Sequence, residues 1–201
     1  ESFHMEAVKD DPTVMSEKLK EAAKVADMII TTGGVSVGKK DIMHESLRLM
    51  GAERIFWRVK MKPGMPTLFS AYKKTSDITA TDHRASEREI PIISLSGNPF
   101  GVAVSIELLI RPALEKMMQD PSIGLKEVNG IMADNFEKGI KGRRFIRAYL
   151  ENGKFHLPNG LHSNGVLSSM AGCNCLIDTK TMENQESRSL NAGDKVGAIL
   201  L

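Results

Sequence analysis

Three short stretches hold the residues whose types and spacing suit chemistry: Thr32-Gly33-Gly34-Val35-Ser36-Val37-Gly38, Lys62-Pro63-Gly64-Met65-Pro66 and Ser96-Gly97-Asn98-Pro99. In the first, glycines allow positive φ and close approach of the backbone to a ligand. A helix starting near Lys39 to Asp41 would aim unpaired N–H groups at an anion. A plain strand-to-helix turn fits the same residues, and the spacing is neither that of a P-loop nor that of a dinucleotide fingerprint. In the second, two prolines and a glycine make a rigid turn that fixes Lys62, and a fixed ammonium suits phosphate or another oxyanion. A solvated lysine on a structural turn is the plainer reading of the same spacing. The third offers a hydroxyl, an amide and the start of a long helix, again suited to an anion.

Asp41 is the acid close behind the glycine-rich turn. It suits a divalent cation, or the favourable end of a helix dipole. His44, His83, His156 and His162 show no catalytic spacing, and no nucleophile elbow is present. The twelve methionines read as core filling. Cys173 and Cys175 are separated by one residue and are read as two reduced thiols rather than a disulfide. Two reduced thiols point to a cytoplasmic chain.

These loops need elements to hold them. Asp11 and Pro12 form a helix start, as cap and first helical residue, for a helix running to Ala26. Asp27 to Thr31 reads as a buried strand ending at Gly33-Gly34. Ile42 to Met50 reads as a helix stopped by Gly51. Ile55 to Val59, Thr67 to Tyr72 and Ile90 to Leu95 are further strands, and Phe100 to Met118 a long helix. Lys73 to Glu89 is polar and aperiodic. Strand, glycine turn and helix alternate, which predicts an α/β domain with a mostly parallel sheet covered by helices over residues 1–121. All three loops would then sit at the carboxyl ends of strands, in one crevice. From Lys126 the short apolar runs broken by Asn-Gly turns predict a small antiparallel β-domain, barrel-like, over 122–201.

The 201 residues carry a net charge of +2, with 41% hydrophobic and 26% charged residues. That balance gives no argument for nucleic acid or membrane surfaces as partners, neither is expected, and no apolar run is long enough to span a bilayer.

At these loops the chain resembles the molybdopterin molybdenumtransferase family, which includes enzymes of the MoeA type and the gephyrin E domain. The residues carrying the resemblance are Asp27 to Gly38, Met61 to Pro66 and Ser94 to Pro99, with Asp10-Asp11-Pro12, Gly142 to Arg147, Leu161 to Ser169 and Leu190 to Leu201 in support. The resemblance implies a molybdopterin-binding α/β domain that lacks its N-terminal strand–helix unit, then the family's last domain. It implies a transferase of molybdenum cofactor biosynthesis, inserting molybdate into adenylylated molybdopterin with release of AMP and with Mg2+ present. It also implies a homodimer that needs the two N-terminal domains of its subunit, so this stretch alone would lack activity.

Carried over by resemblance, Gly33, Gly34, Ser36, Gly38, Pro63, Gly64, Ser96, Gly97, Asn98 and Pro99 bind the pterin substrate. Asp41 and Lys62 are catalytic, with Asp41 on the metal. Lys62, Arg143, Arg147 and Ser163 hold molybdate. Three departures stand out: Met65 replaces the second lysine of Lys-Pro-Gly-Lys-Pro, Ser96 replaces a proline, and Gly101 replaces a serine. A paralogue that binds molybdopterin, or acts as a scaffold, with a degenerate molybdate site is the alternative these departures raise.

Overall fold

The computed structural model describes residues 1–35, 42–74, 88–140, 142–159, 167–179 and 188–201. Contacts divide the chain into two compact units: Glu1–Arg58 with Pro66–Gly97, and Val59–Met65 with Asn98–Leu201. The polypeptide thus passes from one unit to the other after Arg58, Met65 and Gly97.

The first unit begins with α1 (Pro12–Val25), β1 (Ile29–Thr32) and α2 (Met43–Met50). The Asp11 carboxylate accepts hydrogen bonds from the N–H groups of Thr13 at 2.8 Å and Val14 at 3.2 Å, so the expected cap is the observed one. Gly51 closes α2 in the left-handed conformation, with φ of 85°. β2 (Glu53–Trp57), β4 (Leu68–Lys74) and β5 (Arg88–Leu95) complete a four-stranded sheet in the order β1-β5-β4-β2, and β3 is Met61–Lys62. Leu19, Ala23, Met43, Leu47 and Met50 of the two helices are buried in one cluster with Ile29, Leu68, Ile90 and Ile92 of the sheet.

This sheet corrects the expectation of a mostly parallel one. Only β1 and β5 run parallel, whereas β5–β4 and β4–β2 are antiparallel. For the β2–β4 pair the reason is connection length. A parallel neighbour needs a crossover of a dozen residues or more, usually a helix, whereas an antiparallel one does not. Between β2 and β4 the chain has only residues 58–67, three of them proline or glycine. No helix fits there.

The second unit contains α3 (Pro99–Ser105), a π turn (Ile106–Ile110) and α4 (Arg111–Met118). They form the expected long helix with one irregular turn. Pro112 supplies the cause: it has no N–H to donate, and its ring crowds the carbonyl four residues back, at Leu108. Then follow β6 (Lys126–Met132), β7 (Phe136–Ile140), β8 (Arg143–Glu151), β9 (Lys154–His156), β10 (Cys175–Asp178), β11 (Arg188–Leu190) and β12 (Lys195–Leu200). β10, β12, β6, β9 and β8 lie in that order, and β10 pairs with β8 to close a five-stranded barrel. All its pairs are antiparallel except β6–β9, and β3 joins β8 in parallel as a sixth strand. Met132, Phe136, Ile146, Ala148, Phe155 and Ile177 fill one core, and Met61, Phe100, Val104, Phe145, Leu176 and Ile199 a second. Among the described residues no helix is long and apolar enough to cross a membrane.

Candidate functional site

In the first unit, parallel pairing of β1 with β5 brings their carboxyl ends to one edge. The Gly33 N–H extends the ladder to the carbonyl of Leu95 at 2.9 Å. Gly33 and Gly34 then turn with φ of 90° and 66°, conformations glycine adopts without the penalty a Cβ would bring. A side chain on Gly97 would sit 3.5 Å from the Cα of Gly33, so the two loops touch. Ser96, directly before Gly97, is buried, and its hydroxyl has no hydrogen-bond partner among the described residues. The carbonyl of Gly34 accepts from Met43 N–H at 3.1 Å, and that of Val35 from the Trp57 indole at 3.1 Å. Ser36, Gly38 and Asp41 lie outside the described residues.

In the second unit, the Lys62-Pro63-Gly64 turn packs on α3. A Cβ on Gly64, where φ is 96°, would lie 2.6 Å from Met61 Cε and 2.7 Å from Ser105 Oγ. Asn98 caps α3 by accepting from Gly101 N–H at 3.0 Å, with Pro99 behind it, so its amide oxygen serves the helix. A pocket within this unit is lined by Lys62, Pro63, Phe100, Phe136, Arg144, Phe145, Ile146 and Arg147. It has three cationic residues and no carboxylate in its lining. Lys62, Pro63 and Arg147, three of the candidate site residues, thus line one pocket. Met65 is 38% exposed and does not line this pocket.

Arg143 stands apart. Its guanidinium makes a two-pronged pair with Asp178, Nε to Oδ1 at 3.0 Å and Nη2 to Oδ2 at 2.7 Å, and this pairing raises its pKa further. Arg147 is 2% exposed and lies 4.2 Å over the ring of Phe100. Burial lowers its pKa, while the neighbouring Cys173 acts in the opposite sense. Ser163 lies outside the described residues.

Sequence reasoning passed over Arg144. Alternation along β8 places Phe145 and Arg147 on the face toward α3, and Arg144 and Ile146 on the other. The parallel register pairs Met61 with Arg143 and Lys62 with Arg144. Arg144 is thus the arginine on the face of Lys62, with its guanidinium 6.0 Å from the ring of Phe136. The available signal was period two in Arg143-Arg144-Phe145-Ile146-Arg147; only the pairing of β3 with β8 reveals which face meets Lys62. Among the described residues no three His, Cys, Asp or Glu side chains gather as a metal site.

Residues 1–116 match the family model described as a probable molybdopterin binding domain, and residues 129–201 that of the MoeA C-terminal region, domain IV. A curated relative, "Molybdopterin molybdenumtransferase" of Staphylococcus aureus (strain Mu50 / ATCC 700699), is 30% identical over 96% of this chain and 42% of its own length. Its namesake in Staphylococcus epidermidis (strain ATCC 35984) is 28% identical over 92% of this chain and 40% of the relative. Among solved structures, the molybdopterin biosynthesis moeA protein of Pyrococcus horikoshii OT3 aligns with a TM-score of 0.65 at 23% identity, covering 96% of this chain and 40% of that one. The molybdenum cofactor biosynthesis protein of Pyrococcus furiosus aligns at 0.66 and 19%, covering 96% and 56%. At such identities the structures speak for the fold alone. Fold and family models together define a molybdopterin-binding-domain type of chain followed by a β-barrel region. The chain belongs to the MoeA family and covers part of that family's subunit. It spans 42% of the length of the first curated relative.

Proposed function

We propose that this chain is part of a molybdopterin molybdenumtransferase, a transferase of molybdenum cofactor biosynthesis that moves molybdate into adenylylated molybdopterin and releases AMP. The observation that carries the reading is the pocket of the second unit, where Lys62, Arg144 and Arg147 line one space without a carboxylate. Three cations without an acid suit an oxyanion, because charge-assisted hydrogen bonds are the strong ones. Lys62 and Arg147 are the molybdate-holding residues in this reading, with Ser163. Arg143 is already engaged by Asp178.

Gly33, Gly34, Ser36 and Gly38, with Ser96 and Gly97, hold the phosphate of the pterin substrate. Two positive-φ glycines and the buried, unpartnered hydroxyl of Ser96 support this assignment. Pro63, Gly64, Asn98 and Pro99 shape the second loop pair. Asp41 carries Mg2+. A division near residue 121 into the pterin-binding and C-terminal domains is supported by family-model matches that end at 116 and resume at 129. A cytoplasmic homodimer completes the proposal.

Formation of molybdenum cofactor from adenylylated molybdopterin, molybdate and Mg2+, with this stretch inside its full subunit, tests the reading. Cofactor formation that stops on Lys62→Ala supports it, and cofactor formation unaffected by Lys62→Ala refutes it. One observation favours a second reading, a binding or scaffold paralogue: Met65 offers no cation where the family motif has a lysine. A subunit that binds the pterin substrate but forms no cofactor at any molybdate concentration would establish that alternative.

A further inference from the structure

The second unit sets two cations directly against each other. Lys62 and Arg144 are register partners across the β3–β8 pair, so their side chains leave the sheet on the same face. Like charges opposite each other destabilise a sheet. Among the described residues neither cation forms an ion pair. Arg144 Nε is buried and has no hydrogen-bond partner. The surrounding wall is apolar and aromatic, with Phe100, Phe136 and Phe145. Lys62 itself is exposed and Arg144 half-buried, so the space is open to solvent on the lysine side. An arginine tolerates an apolar wall better than a lysine, because its guanidinium is less strongly hydrated and presents a planar fork of donors.

We propose that Arg144 is the second cation of the oxyanion site, closing with Lys62 on a tetrahedral, doubly charged oxyanion. It supplies from β8 the charge that Met65 does not supply from the loop. The inference rests on the oxyanion reading of the same pocket. The anion is either free molybdate or the phosphate of a substrate, since the two share shape and charge.

The test uses the whole chain, with sodium molybdate and inorganic phosphate as separate titrants. Wild type, Lys62→Gln, Arg144→Gln and Arg144→Lys are compared by calorimetry. Each neutral variant should lose about tenfold or more in affinity for the bound anion, the equivalent of one charge-assisted hydrogen bond. Arg144→Lys should recover part of the loss. Tighter molybdate than phosphate identifies a free-oxyanion site, and the reverse a substrate-phosphate site; either supports Arg144 if Arg144→Gln lowers the affinity. Loss in Lys62→Gln with affinity unchanged in Arg144→Gln overturns the role of Arg144 and leaves the oxyanion reading standing. No binding by wild type at millimolar titrant, or binding unchanged in both neutral variants, overturns that reading as well.

Thermal melts separate ligand binding from a structural role. Without anion, Arg144→Gln should melt no lower than wild type, because a repulsion has been removed. With anion, wild type should gain the larger increase in Tm. A variant that melts lower without anion and gains as much as wild type with it makes Arg144 structural.

Discussion

The indole N–H of Trp57 donates to the carbonyl of Val35 at 3.1 Å, joining the end of β2 to the start of the glycine loop after β1. Trp57 is the chain's one tryptophan, and the edge of His44 meets its ring at 4.8 Å. Trp57→Phe keeps most of the apolar contact and removes the donor. We expect a loss of about 0.5–1.5 kcal/mol, the net worth of an ordinary hydrogen bond. Urea melts followed by circular dichroism will show it. A change below about 0.3 kcal/mol means that another donor has replaced the indole, against this reading.

Two glycines with similar φ should respond differently to alanine. At Gly33, φ is 90° and an added Cβ meets nothing within 4 Å. Gly33→Ala should cost about 1–2 kcal/mol, the price of left-handed backbone alone. At Gly64 an added Cβ would also strike Met61 and Ser105. Gly64→Ala should cost more than Gly33→Ala by about 1–3 kcal/mol, as overpacking does. Equal losses in denaturant melts would show that the turn of Lys62 yields freely.

Arg143 and Arg147, grouped by the sequence, should separate on measurement. Removing the Arg143 charge with Arg143→Gln leaves Asp178 short of its two-pronged partner, at a cost of about 1–3 kcal/mol. Molybdate affinity should change by less than about twofold, since no charge leaves the pocket lining. A calorimetric loss of tenfold or more in Arg143→Gln contradicts this separation.

Cys175 predicts a pH effect. It is wholly buried, donates to the carbonyl of Ala148 at 3.4 Å, and burial pushes its thiol from 9.0 up to about 12. The folded state therefore keeps this proton after the unfolded state has released it. Stability from this group is complete below pH 9 and falls as pH rises toward 12. Across that window wild type should lose up to about 1.4 kcal/mol per pH unit more than Cys175→Ala. Parallel pH–stability curves for the two proteins would exclude it.

Local signals in the sequence were reliable where one residue decides the outcome. Asp11 capped α1, Gly51 stopped α2, and Asn152-Gly153 turned β8 into β9, whereas Asn129-Gly130, read as a turn, lies inside β6. Strand direction was missed in the first unit because alternation of strands and helices was weighed above connection length. The short, proline-rich stretch between Trp57 and Leu68 already ruled out a crossover helix. Of the candidate site, Gly33, Gly34, Lys62 and Arg147 could be singled out from the sequence. Arg144 could not, since its partnership with Lys62 depends on two strands distant in sequence choosing each other's register. No local pattern encodes that choice.

The strand Met61–Lys62 has consequences for how the chain is made. Its partner, Arg143–Arg144, leaves the ribosome much later, after α3, α4, β6 and β7. Until then the lysine turn has no sheet to join, and Met61 and Phe100 lack Phe145, Leu176 and Ile199 as core neighbours. The Lys62–Arg144 pairing therefore waits for β8 to be made, whereas β4 and β5 can pair as soon as both have emerged. A ribosome stalled before β8 would hold a nascent chain whose lysine turn is still unpaired.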